Sequence, residues 1–119
     1  MRRAVLADGI FELLLGIAFV FGPWAGLALP PPASIPVTVG VGLMLLLVGV
    51  ALWRLAGRLN PRQVVGLALI NGLGAVVFTT WLFVSWSRFT PTSSALIMTT
   101  AAGLAILSIV ELAGEWPQH

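Results

Sequence analysis

Four uninterrupted apolar runs, at Ala4–Phe21, Ile35–Leu55, Val64–Trp86 and Ser94–Leu112, constrain this chain more than any other feature. As helices rising 1.5 Å per residue, each is about long enough to cross the ~30 Å hydrocarbon layer of a bilayer. None alternates polar and apolar residues with period two, which argues against a membrane β-barrel. Pro23, Pro30, Pro31, Pro32, Pro36, Pro61, Pro91 and Pro117 all fall between the runs or at their edges. A proline inside a helix removes a backbone donor and clashes with the preceding turn, so this placement punctuates four helices.

Composition agrees with the runs. Of 119 residues, 59% are hydrophobic and 8% charged, and the mean hydropathy is +1.05; a soluble domain carries about 25% charged residues. The expectation is an all-α, polytopic membrane protein: one domain over residues 1–119, four transmembrane helices in an up-down-up-down bundle, surrounded by the lipid bilayer. An Arg-Arg pair before an apolar run is also the pattern of a secretory leader. Asp8 and Glu12 within the run, and the lack of a small-x-small cleavage site after it, favour a retained helix.

All six basic residues are arginine. Arg2, Arg3, Arg54, Arg58 and Arg62 precede the first run or join the second to the third, whereas Arg88 alone lies between the third and fourth. The positive-inside rule then puts both termini in the cytoplasm, with the links 22–34 and 87–93 outside. Trp24 and Trp86 fall at the outer interface and Trp53 and Trp116 at the inner one, depths that suit an amphipathic indole. Exclusive use of arginine with abundant Ala, Gly, Leu and Val points to a GC-rich prokaryote and its cytoplasmic (cell inner) membrane.

Several function classes drop out. Arginines that flank apolar segments do not form the clustered basic face of a nucleic-acid binder. Without cysteine, and with a single histidine at position 119, the chain has no thiol nucleophile, no metal ligand set, no cofactor motif and no signature of an enzyme.

What remains is a handful of polar residues inside apolar helices. Asp8 and Glu12 are one turn apart and share a face. Glu12 lies roughly 12 Å into its run at 1.5 Å per residue, where a carboxylate costs a few kcal/mol unless it is paired, hydrogen-bonded or protonated. Asp8, nearer the end, is expected to be solvated or paired with a cytoplasmic arginine. Asn71 falls at a depth similar to Glu12 and is its expected hydrogen-bond partner. Arg54 with Glu111, and Arg58 with Glu115, are expected as interfacial ion pairs. The hydroxyls of Thr79, Thr80, Thr99, Thr100 and Ser108 are expected to bond within their own helices. Ala68/Gly72, Thr99/Gly103 and Ala101/Ala105 mark close helix approach.

A faint duplication relates hairpins 1–58 and 60–119. Leu6-Ala7-Asp8-Gly9-Ile10 is echoed by Leu69-Ile70-Asn71-Gly72-Leu73, and Leu55-Ala56-Gly57 by Leu112-Ala113-Gly114, which sets Arg54 opposite Glu111. Two functions are compatible with these features. The first is a structural or accessory subunit acting through helix packing in a homo-oligomer or larger membrane complex. The alternative is a small-solute or proton-coupled transporter or channel with Glu12 as its titrating group.

Overall fold

The computed structural model describes residues 2–30 and 34–115, with side chains over 3–30 and 34–113. Four helices, α1 (Arg2–Phe21), α2 (Ile35–Leu55), α3 (Pro61–Val84) and α4 (Pro91–Glu115), are each long and apolar enough to cross a membrane. The long axis measures 48 Å.

Local chemistry sets where each helix begins. Ser34 caps α2, its hydroxyl accepting from the Val37 amide. Asn60 and Gln63 form a reciprocal capping box on α3, in which each side chain accepts from the other's backbone amide at 2.8 and 3.0 Å. Thr90 and Ser93 do the same for α4 at 3.0 and 2.8 Å. These pairs satisfy amide donors that a helix start leaves open, and Pro61 and Pro91, as first helical residues, have none to satisfy. Both α3 and α4 therefore start three residues before the apolar runs at Val64 and Ser94 that predicted them. Their first turns are polar, so hydropathy alone misses them. The α1–α2 link opens with a short 3-10 turn over Gly22–Ala25 and closes at Gly26, whose φ of 91° is left-handed; a residue without a Cβ adopts that conformation readily.

The helices form two hairpins. α1 packs along α2 and α3 along α4, while α1 also touches α4 and so joins the pairs. Glycine decides how closely α1 and α2 approach. A Cβ on Gly16 would fall 2.9 Å from the Gly42 carbonyl oxygen, and one on Gly42 2.9 Å from that of Gly16. Gly9 and Gly49 repeat the arrangement at 3.1 and 2.9 Å. Glycines seven apart on each helix thus meet in antiparallel order, the spacing that keeps a seam facing its partner.

Two apolar layers fill the interior. Val5, Leu52, Ala56 and Val64 form one, near the α2–α3 link. Leu15, Phe19, Leu82 and Ile97 form the other, backed by Phe78, Trp81 and Phe89. Trp81 meets the edge of Phe89 with ring centroids 5.0 Å apart. The outer surface is apolar as well: Leu14, Leu47, Ile70, Phe83 and Ile109 are all exposed, as suits helices solvated by lipid tails.

Candidate functional site

The polar site lies between the two layers. On α1 the residues Ala4, Val5, Asp8, Gly9, Glu12, Leu15, Gly16 and Phe19 are buried, a stripe recurring every three or four positions. Asp8 and Glu12 occupy its centre, with Val5 of the first layer on one side and Leu15 of the second on the other. On α4 the equivalent stripe passes through Ile97, Thr100, Ala101, Leu104, Leu107 and Ser108 to Glu111.

Asn71 joins three helices. Its amide nitrogen donates to Oδ2 of Asp8 and to Oε1 of Glu111, both at 2.8 Å. All three side chains are enclosed: Asp8 and Glu111 are 0% exposed and Asn71 3%. A supporting bond sets the register of α3 against α4. Ser108, one turn before Glu111, donates to the Ala68 carbonyl at 2.7 Å, and Ala68 is one turn before Asn71. Gly72 leaves room for that hydroxyl, since a Cβ there would sit 3.1 Å from Ser108 Oγ. Gly9, beside Asp8, likewise lets α2 approach.

The amide has two hydrogens and four carboxyl oxygens to serve on Asp8 and Glu111. Oδ1 of Asp8 and Oε2 of Glu111 are buried and have no hydrogen-bond partner among the described residues. Asp8 and Glu111 meet on the same amide nitrogen, and Glu12 lies one turn along α1 from Asp8 on the same buried stripe. Glu12 is itself nearly enclosed, at 5% exposure. Among the described residues no base balances them: Arg3, Arg54, Arg58, Arg62 and Arg88 are all exposed. Buried charges normally carry a partner, because the effective desolvation penalty is several kcal/mol per ion. Here three acids converge with one neutral amide. Among the described residues no three such side chains are arranged to hold a metal ion.

Several expectations change. Asp8, expected at the solvated end, is fully buried and is the acid that Asn71 binds, while Glu12 approaches Asp8 rather than the amide. The Arg54–Glu111 pair does not form. Arg54 is exposed, whereas Glu111 turns inward, because α4 runs on to Glu115 and places Glu111 on its buried stripe. Arg58 is exposed, and the Glu115 side chain and His119 lie outside the described residues. Ser108 bonds across to α3 instead of within its own helix, whereas Thr100 does bond back to the Leu96 carbonyl at 2.8 Å. Glu111 is the site residue that sequence reasoning put in the wrong place, although Leu104, Ser108 and Glu111 at spacings of four and three already trace the stripe.

Compared with known proteins, the chain matches no family model, no curated protein and no solved structure.

Proposed function

We propose that this protein is a proton-exchanging transporter or channel of the cell membrane, with Asp8, Glu111 and Glu12 as the groups that take up and release protons. The observation that carries this reading is a cluster of three carboxyls, enclosed between two apolar layers, with no buried cation among the described residues to neutralise it. An acid inside a membrane is expensive to keep, and such residues mark ion and proton pathways. Asn71 holds two of the carboxyls in fixed positions without supplying charge. The cluster moves the centre of the site from Glu12 to the Asp8–Asn71–Glu111 group.

The test is proton flux into proteoliposomes loaded with a pH-sensitive dye, under an imposed membrane potential. Wild type should conduct above empty liposomes, and Asp8→Asn or Glu111→Gln should abolish the excess. Equal flux in wild type and both variants would refute the reading.

The accessory-subunit reading keeps one observation of its own. A groove of about 530 Å³ on the outer face of α3 and α4 is lined by small residues including Ala75, Ala101, Ala102 and Ala105. Small side chains let a further helix approach closely. Gentle native purification with mass measurement tests it: a stoichiometric second subunit favours this reading, and a monomer removes it.

A further inference from the structure

We infer that Asp8 and Glu111 share a single proton, and that this proton fastens the α1–α2 hairpin to the α3–α4 hairpin. The inference rests on the reading of the cluster as a site of proton exchange and goes beyond it, by naming where the proton sits and what it holds together.

The hydrogen count leads there directly. Asn71 spends one N–H on Asp8 Oδ2 and the other on Glu111 Oε1. The remaining oxygens, Asp8 Oδ1 and Glu111 Oε2, are buried without a donor among the described residues, and the two carboxyls meet on one nitrogen, each with an oxygen 2.8 Å from it. Two ionised carboxyls are acceptors only and repel each other. One proton taken from water gives one of them an O–H to donate to the other. A single negative charge is then left on the pair, and the bond is of the short, charge-assisted kind. Among the described residues no other group donates to them. Glu12 on α1 is a third acid; Asn71 on α3 has committed both amide hydrogens; the one charged residue of α2, Arg54, is exposed. A metal cation would need several more oxygens than the pair can turn toward it.

The mechanical consequence follows from which helices the two acids belong to. Asp8 is on α1 and Glu111 on α4, and α1 against α4 is the packing that joins the hairpins. Each hairpin keeps internal contacts that carry no titratable group: Gly9, Gly16, Gly42 and Gly49 in one, Ser108 on the Ala68 carbonyl in the other, alongside the Asn71–Glu111 bond. Deprotonation therefore strains the junction between hairpins, while the glycine seam and the Ser108 bond still hold each hairpin. With both acids charged, repulsion acts across that junction, and water entering to solvate them parts α1 from α4.

The chain has no cysteine, so spin labels can be placed cleanly at Ala7 and Leu112, exposed neighbours of Asp8 and Glu111. Dipolar distances would be measured on the full chain in lipid nanodiscs as the pH is stepped from acid to alkaline. Wild type should give a short, narrow distribution in acid and a longer, broader one in alkali. The double variant Asp8→Asn/Glu111→Gln, which supplies a permanent amide donor between the same positions, should stay short throughout. If the double variant does not fold, Glu111→Gln alone carries the same expectation. An unchanged wild-type distance overturns the shared proton, as does an equal response in the neutral variant. Restoration of the short distance in alkali by sodium chloride but not choline chloride assigns the site to a metal cation and also overturns it. The two readings separate cleanly. A pH-dependent distance without proton flux removes transport and leaves the fastening, whereas flux with a fixed distance does the reverse.

Discussion

Glu111 shows how far a single side chain depends on its neighbours for its chemistry. Replacing it with Gln keeps an acceptor for Asn71 and brings a permanent N–H donor to the pair, where the acid needs a shared proton. In alkali, where the acid pair has lost that proton, we expect Glu111→Gln to be more stable than wild type by about 1.5–3 kcal/mol, the scale of a buried hydrogen bond to a charged acceptor. Glu111→Arg should lose several kcal/mol, because it takes away an acceptor of the Asn71 amide and forces a larger, donor-only side chain into a fully enclosed position. Thermal unfolding of the purified protein in detergent would rank the two; the opposite order would mean that Glu111 faces an interface after all. Ser108→Ala is predicted to cost about 0.6 kcal/mol, typical of a hydroxyl bond between membrane helices. The polar residues were legible in the sequence as exceptions, but their pairings were not. Asn71 and Glu12 each lie ten residues beyond the first residue of their helices, Pro61 and Arg2, yet Asn71 bonds Asp8, because position along a helix does not fix how neighbouring helices are offset or which faces meet.

Among the elements, α1 and α2 offer the sharpest contrast between glycines of equal appearance. Gly42 is pressed against the backbone: a Cβ would stand 2.8 Å from the Val20 nitrogen and 2.9 Å from the Gly16 oxygen. Gly40, on the same helix, has nothing within 4 Å. Gly42→Ala should therefore destabilise by about 1–3 kcal/mol through forced backbone separation. Gly40→Ala should stabilise by about 0.5–1 kcal/mol through reduced freedom of the unfolded chain. Equal unfolding temperatures for the two variants would rule out the glycine seam. All four helices were readable from apolar length and proline placement, since both follow from backbone chemistry. The seam was not singled out. In a chain with 13 glycines, a seven-residue spacing gains meaning only once α1 and α2 are set antiparallel.

At the scale of the whole molecule, the arginine bias makes a prediction about orientation. A cysteine placed at Ser87, which is exposed beside α4, should react with an impermeant maleimide added outside intact cells. One at Arg58 should react only after the membrane is opened. Reversed labelling would invert the bundle. Ser93 is unsuited to the experiment, since it is buried in the capping pair with Thr90. The duplicated pattern matched Asp8 with Asn71 and Arg54 with Glu111. The first two are hydrogen-bonded to each other, while the second two differ, one exposed and one buried.

The span of chain between the members of the site has a consequence for synthesis. Asn71 follows Asp8 by 63 positions, and Glu111 follows Asn71 by another 40. When α1 leaves the ribosome, neither the amide nor the third acid exists. Insertion of α1 alone would carry two carboxyls toward the bilayer at about 2.5–3.5 kcal/mol for a central charge. The glycine seam supplies the remedy, because α2 arrives next and can shield α1 without any polar group. The first hairpin would thus lodge in the membrane ahead of its partners, and the site assembles only when α4, the last of the four helices to be made, closes against it.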